Sequence, residues 1–230
     1  MIWVMSDIHG DYEHYMEMLE KIELGDDDKL YILGDILDRG EGGFELLFDI
    51  MERDNVFLIK GNHELFYEMF YEHKLSSKTW IQYGGVFSVS SLAELSDEQK
   101  EKAYEYIKGL PHYIELDIEG TSWFLTHAGP MAYPLVMEDN VIRLKETIEQ
   151  QVKLNEFNAL CHIELHIGNL PYPFDKRLVV GHFPTINYCY DVPTIIEKNG
   201  FIDIDTGNGY RARKGKLTCM CLDDGRVYTI

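Results

Sequence analysis

The chain has 230 residues, 45% hydrophobic and 27% charged, which is enough for one sizeable core and too little for two comfortable domains. Acids number 40 against 21 lysines and arginines, and the resulting formal charge of −19 repels phosphate backbones and disfavours a nucleic-acid partner. No apolar run approaches the ~20 residues of a membrane span, the start MIWVMSDIHGD lacks the marks of a secretory signal, and Cys161, Cys189, Cys219 and Cys221, with no CxxC spacing, read as small buried hydrophobes of a reducing cytoplasm.

In chain order, short runs rich in Ile, Val, Leu, Phe and Tyr predict strands at residues 2–5, 30–33, 56–59, 122–125, 178–180, 201–204, 217–222 and 227–230. Between the early strands the spacing changes to that of helices. Tyr15, Met18, Leu19 and Ile22 share one face, as do Phe44, Leu47, Phe48 and Met51, and then Leu65, Phe66 and Met69. The spelling Ser96-Asp97-Glu98-Gln99 is a capping box that opens a further helix, which Gly109 and Pro111 close. A helix is expected from Val141 to Phe157, and from Gly200 onward only strands and glycine-containing turns remain. The alternation predicts an α/β chain with a central layer of sheet, or two sheets face to face with helices outside.

Polar residues gather at the ends of those strands. Met5 leads into Ser6-Asp7-Ile8-His9-Gly10, Leu33 into Gly34-Asp35, Lys60 into Gly61-Asn62-His63-Glu64, Leu125 into Thr126-His127, and Val180 into Gly181-His182. Ligands of α/β sheets bind beyond the carboxyl ends of the strands, where glycine lets the backbone turn sharply and approach a ligand. The set Asp7, His9, Asp35, Asn62, His127 and His182 mixes carboxylate, amide and imidazole donors, which suit manganese, iron or zinc. Six such donors are too many for one ion with an open position and suit two ions that share a carboxylate. Taken singly, each motif reads as a turn or an ordinary core residue; in this order, always at a strand exit, they read as one site.

The spellings Asp7-Ile8-His9-Gly10, Gly34-Asp35-Ile36-Leu37-Asp38-Arg39-Gly40 and Gly61-Asn62-His63-Glu64, with the single histidines His127 and His182, resemble the calcineurin-like metallophosphoesterases. Within that superfamily they are most similar to the PPP-type serine/threonine protein phosphatases of bacteria and phages, close to the symmetrical dinucleoside-tetraphosphatases. The match spans residues 5 to 182, and Trp80, Gly84-Gly85 and Ile204-Asp205-Thr206-Gly207 extend it. The resemblance implies a four-layer αββα sandwich, with residues 1–230 as a single domain. It also implies two divalent metal ions, manganese with iron or zinc as alternatives. Asp7, His9 and Asp35 would hold the first, and Asp35, Asn62, His127 and His182 the second, with Asp35 bridging. Arg39 and Asn62 would bind the substrate phosphate, and His63, oriented by Asp38, would protonate the leaving group.

The activity implied is hydrolysis of phosphomonoesters, phosphoserine or phosphothreonine in proteins, by direct attack of a metal-bridging hydroxide. A symmetrical bis(5'-nucleosyl)-tetraphosphate hydrolase is the rival reading, against which Asp38-Arg39 speaks; a catalytically weak metal-binding scaffold is another. The expected partner is a phosphorylated protein or small phosphoester, with neither nucleic acid nor membrane. One expectation is unmet: related enzymes carry a second phosphate-gripping arginine in a Trp-x-Arg stretch between the two late histidines, and Asn158 to His166 has neither residue. Arg143, Arg177, Arg211, Arg213, His162 and His166 are the candidates to replace it.

Overall fold

A computed structural model describes residues 1–168, 170–188 and 192–230; Cys189 lies outside the described residues. The first half alternates as expected: β1 (Ile2–Met5), α1 (Tyr12–Lys21), β2 (Lys29–Ile32), α2 (Gly43–Glu52), β3 (Val56–Leu58) and α3 (Asn62–Tyr71). Two short helices follow, α4 (Ser77–Gln82) and α5 (Val86–Ser91), then α6 (Asp97–Lys108). Next come β4 (Tyr113–Ile118), β5 (Thr121–Thr126), β6 (Met137–Glu138), β7 (Val141–Ile142), α7 (Leu144–Cys161), α8 (Glu164–Ile167) and β8 (Arg177–Val180). The chain ends with β9 (Ile196–Lys198), β10 (Phe201–Asp203), a 3-10 turn over Asn208–Arg213, β11 (Thr218–Cys221) and β12 (Val227–Thr229).

The strands form two five-stranded sheets. In the first, ordered β12-β11-β1-β2-β3, the neighbours β1, β2 and β3 run parallel. In the second, ordered β4-β5-β8-β10-β9, the parallel core β5-β8-β10 is edged by antiparallel β4 and β9. The sheets face each other across Val4, Tyr31, Leu33, Leu125, Val179, Ile202 and Met220. Each of these buried side chains contributes about 1.5–3 kcal/mol of transfer free energy, as an upper bound. Outside the first sheet, Tyr15 and Met18 of α1, Leu47 and Ile50 of α2, Phe66 of α3 and Ile107 of α6 close one core. Outside the second, Leu144 and Ile148 of α7 and Leu165 of α8 close another. The order is therefore helix, sheet, sheet, helix, as the resemblance implies. Among the described residues no helix is long and apolar enough to cross a membrane.

Local chemistry sets the element ends. Asp11 caps α1 by accepting from the His14 amide at 3.3 Å. Ser96 and Gln99 form the expected reciprocal box at α6, with bonds of 3.2 and 2.9 Å. The helix expected from Val141 begins instead at Leu144. Asp139 and Asn140 both adopt left-handed backbone, at φ 50° and 62°, and turn the chain so that Val141–Ile142 pairs with Met137–Glu138. Of the cysteines, Cys219 and Cys221 are buried and Cys161 is half-buried.

Candidate active site

Two sets of parallel strands, β1-β2-β3 of the first sheet and β5-β8 of the second, deliver their exits to one place, and neighbouring exits are hydrogen-bonded to each other. The amide of Asp7 donates to the Gly34 carbonyl at 3.2 Å, that of His9 to Asp35 at 2.9 Å, that of Gly10 to Ile36 at 2.7 Å, and that of Gly181 to His127 at 2.9 Å. Asp7, His9, Asp35, Asp38, Arg39 and His182 all have φ between 53° and 73°. Such left-handed backbone costs a non-glycine residue about 1–3 kcal/mol and persists where the surroundings over-determine it. It turns each side chain back over its strand end. Close approach needs glycine at two positions: a Cβ on Gly34 would stand 2.6 Å from the Gly61 backbone, and one on Gly61 would meet the backbone nitrogen of Asp35 at 2.6 Å.

Within this ring all six expected donors come together. Asp35 stands at the centre. Its Oδ2 lies 3.9 Å from His9 Nε2, and its Oδ1 lies 3.4 Å from His127 Nε2. His9 Nε2 is also 3.9 Å from Asp7 Oδ1. His127 Nε2 is 3.0 Å from both Asn62 Oδ1 and His182 Nδ1. Two sets of mutually close donors result, His9-Asp35-His63 and Asp35-His127-His182, with Asp35 common to both.

The residues present fit two cations. His9 Nδ1 bonds the Leu37 carbonyl at 3.1 Å and His127 Nδ1 the Leu33 carbonyl at 2.7 Å, so each donates there and turns the lone pair of Nε2 to the site. The lone pair of His127 then faces the Asn62 carbonyl oxygen, and two acceptors at that distance call for an electropositive centre between them. Asp7 Oδ1 is buried with no hydrogen-bond partner among the described residues. Burial, reinforced by Arg39 at His9 and by the neighbouring histidines at His182, holds both well below the ordinary imidazole range, in the neutral form that ligates metal. Burial, with Asp7 and Glu64 beside it, pushes the Asp35 carboxyl up despite His63, an expense that positive charge at this point would remove.

Beside the donors stands a second constellation. His63 Nδ1 bonds Asp38 Oδ2 at 2.6 Å, and the same oxygen accepts from Trp80 Nε1 at 2.8 Å. The Asp38 amide donates to Ser88 Oγ at 3.1 Å and the Arg39 amide to the Gly84 carbonyl at 3.1 Å. Residues 65–110 are therefore built into the first core and hold Asp38 and Arg39 from behind. Arg39 Nη2 reaches within 3.4 Å of His63 Nε2, and its guanidinium lies 4.5 Å from the Tyr210 ring centroid.

Two features escape a reading of motifs. Glu64 is fully buried, and its carboxylate accepts the amides of Asp35 at 2.7 Å, Ile36 at 2.9 Å, Leu37 at 3.3 Å and Gly61 at 2.9 Å. It is the anion that shapes the Asp35 loop. Glu64→Gln turns an amide donor toward these donors and is expected to lower stability by about 3 kcal/mol, read as the shift in urea midpoint at unchanged slope. The other feature lies under His182. His166, fully buried, bonds Asp203 Oδ2 through Nδ1 at 3.1 Å, and its ring centroid is 6.3 Å from that of His182. Burial pushes the His166 pKa down to about 3, so it is neutral and donates to Asp203.

The arginine candidates separate clearly. Arg143 reaches Glu138 and Asp175, Arg177 lies over Trp123, and Arg213 bonds Asn187. Arg211 alone among them shares a pocket with Arg39. His162 bonds the Gly129 carbonyl at 3.1 Å and borders a separate pocket with Phe157 and Cys161.

Comparison with known proteins agrees with this geometry. A serine/threonine-protein phosphatase 2 of Escherichia coli is 28% identical over 136 residues, 55% of this chain, and the chain spans only 57% of its length. An asymmetrical bis(5'-nucleosyl)-tetraphosphatase, PrpE of Halalkalibacterium halodurans, is 24% identical over 226 residues, 89% of this chain and 84% of that one. Among solved structures, a protein provisionally described as a diadenosine tetraphosphatase superposes with a TM-score of 0.65 at 17% identity, over 100% of this chain and 92% of its own. A yeast serine/threonine phosphatase from Saccharomyces cerevisiae gives 0.59 at 14% identity, over 100% and 79%. The family model of the calcineurin-like phosphoesterases matches residues 1–201, and with the two-sheet fold and the shared Asp35 it places the chain: it belongs to the calcineurin-like phosphoesterases and is a metal-dependent phosphatase.

Proposed function

We propose that residues 1–230 act as one catalytic unit that hydrolyses phosphate esters with two divalent cations, manganese being the first choice of metal. Asp7, His9 and Asp35 hold one ion; Asp35, Asn62, His127 and His182 hold the other. The observation that carries this reading is the position of Asp35, whose two oxygens face different histidines, His9 and His127. When bound, the ions lower the pKa of a water and offset charge that gathers on the phosphoryl oxygens. Arg39 presents a planar fork to those oxygens. Its ring partner Tyr210 restrains it, so little rotamer freedom is lost on binding.

His63 is the proton donor to the leaving oxygen. Burial alone would draw its pKa down, but Asp35 and the Asp38 hydrogen bond outweigh that and hold it above the ordinary imidazole value. A raised pKa keeps more of the acid protonated near pH 7, and activity falls as pH rises through it. Asp38→Asn weakens the contact that raises it. The alkaline limb of kcat/KM is therefore expected to move to lower pH in that variant, with the acidic limb in place. An unmoved alkaline limb would remove His63 from the role.

The substrate we infer is phosphoserine or phosphothreonine in proteins, in support of which stand Asp38-Arg39 and the match to the bacterial protein phosphatase over about half of the chain. The second reading, hydrolysis of a bis(5'-nucleosyl)-tetraphosphate with the symmetrical cut, has its support in a match to a symmetrical tetraphosphatase over 77% of this chain; the match that runs nearly the whole length of both chains is to an enzyme named asymmetrical. Comparing phosphate release from a phosphopeptide with nucleotide release from diadenosine tetraphosphate, at equal manganese, decides between them. A kcat/KM at least tenfold higher on the phosphopeptide is expected under the first reading, and the reverse ratio under the second.

A further inference from the structure

One stretch beside the catalytic cluster differs in composition from the rest of the chain. Thr79 to Ala93 carries no charged residue, in a chain whose formal charge is −19. Part of it is interior: Trp80 and Leu92 are buried, and Trp80 and Ser88 hold Asp38. Between those anchors the chain comes to the surface. Ile81 is 43% exposed, Tyr83 47%, Val86 48% and Phe87 36%. Among the described residues none of the four belongs to a core of the fold. Single exposed apolar residues are ordinary, but four within seven positions make a patch, and such patches mark interaction sites.

The patch is continuous with the catalytic cluster. Its midpoint is Gly84, at φ 106°, where a Cβ would lie 3.4 Å from Arg39 Cγ and 3.9 Å from His63 Cε1. Next to it the Tyr83 ring stacks on Phe66, centroids 4.9 Å apart, and Phe66 meets His63 edge-on at 5.2 Å. All four exposed residues are within three positions of Gly84, so none is anchored more than about 11 Å from it. An extended peptide spans that distance in roughly three to four residues. The arms of the patch are fixed where α4 and α5 meet: Gly85 packs on the Trp80 ring so closely that a Cβ would stand 2.4 Å from its Cδ1. A second copy of the chain is a poorer occupant, because it would set one surface of −19 against another and stand beside Arg39 and His63, closing the cluster.

We propose that Ile81, Tyr83, Val86 and Phe87 seat the polypeptide that carries the phosphoserine or phosphothreonine, by binding apolar side chains within about four residues of it on one side. This rests on the protein-phosphatase reading and adds to it a class of peptide: apolar beside the phosphorylated residue, in place of the basic flanks that net charge alone would favour. The patch touches those side chains equally before and during reaction, since they lie away from the phosphorus. Binding of that kind lowers KM and leaves kcat in place.

The test is steady-state kinetics of manganese-loaded wild type and the double variant Val86→Ser/Phe87→Ser on three substrates. One is p-nitrophenyl phosphate. The others are phosphothreonine peptides of equal length and charge, with leucines beside the phosphothreonine in one and serines in the other. Neither substituted residue is among those that hold Asp38, Arg39 or His63. Wild type is expected to favour the leucine peptide in kcat/KM by on the order of tenfold to a hundredfold, the discrimination that an extra apolar group gives in an enzyme pocket, with the difference in KM. The double variant is expected to lose about tenfold on the leucine peptide and less than about twofold on the other two substrates. If it loses all three alike, Ile81→Ser at the other end of the patch must show the selective loss instead. A wild type that treats the peptides alike, or variants that keep the full preference, would overturn the proposal. So would a dimer in sedimentation velocity that the double variant dissolves, which gives the patch to a second copy. Failure of the protein-phosphatase reading has its own signature: manganese-dependent turnover of p-nitrophenyl phosphate with neither peptide cleaved, which overturns both.

Discussion

His63→Asn is expected to lower kcat by two to four orders of magnitude while leaving the bound metal unchanged. A positioned general acid contributes about 10²–10⁴-fold, and His63 is positioned on both sides of its ring. Nδ1 is committed to Asp38, which Trp80 and Ser88 hold in turn, and Nε2 faces the cluster 3.7 Å from Asp35 Oδ2. That last distance makes the experiment discriminating. His9, Asp35 and His63 are close enough to hold an ion between them, so geometry alone also admits His63 as a ligand. Asparagine preserves the helix start at Asn62 and roughly preserves size, but supplies no acid. Metal content by mass spectrometry, measured beside turnover, separates the roles. Two ions retained with activity lost assigns the proton to His63; joint loss of metal and activity makes it a ligand.

Asp35→Asn is expected to weaken both metal positions together. Its oxygens face different histidines, and its Oδ1 also accepts the His63 amide at 3.0 Å. Asparagine keeps one oxygen for that amide, so the loop that Glu64 braces survives, while the charge shared by both ions disappears. Removal of a mere supporting contact costs about 10–100-fold in metal affinity; loss of a shared charged ligand is expected to exceed this at both positions. Equilibrium dialysis against manganese reads it directly. Loss of one ion with the other held at wild-type affinity would show that Asp35 serves one position only.

How much of this was legible in the sequence follows from the distance over which each signal acts. Strand exits are local: an apolar run, then a small residue and an Asp, Asn or His, marks Asp7, Asp35, Asn62, His127 and His182 without knowledge of the fold. The four layers follow from strand and helix alternation together with the motif spelling. By contrast α4 and α5 are six residues each, too short to show a helical period, and their contribution reaches Asp38 across 42 positions from Trp80 and 50 from Ser88. Glu64 sits in a recognised motif, yet its task, binding four backbone amides, exists only after β2 and α3 have been brought together. The alternation Ile202-Asp203-Ile204-Asp205 ordinarily marks a strand wet on one face. Here both faces are covered, and burial pushes the carboxyls of Asp203 and Asp205 up. Arg211 is one of several arginines that the sequence offers alike, and only the tertiary fold singles it out by setting it in one pocket with Arg39.

The central claim is that two ions, joined through Asp35, are what makes this chain a phosphoesterase. The measurement that tests it most directly is p-nitrophenyl phosphate hydrolysis by metal-stripped protein titrated with manganese, with bound metal counted at each step. The expected result is no turnover without metal and activity that rises to a plateau as occupancy approaches two ions per chain. Full activity at one ion, or equal turnover by the stripped protein, would contradict the account.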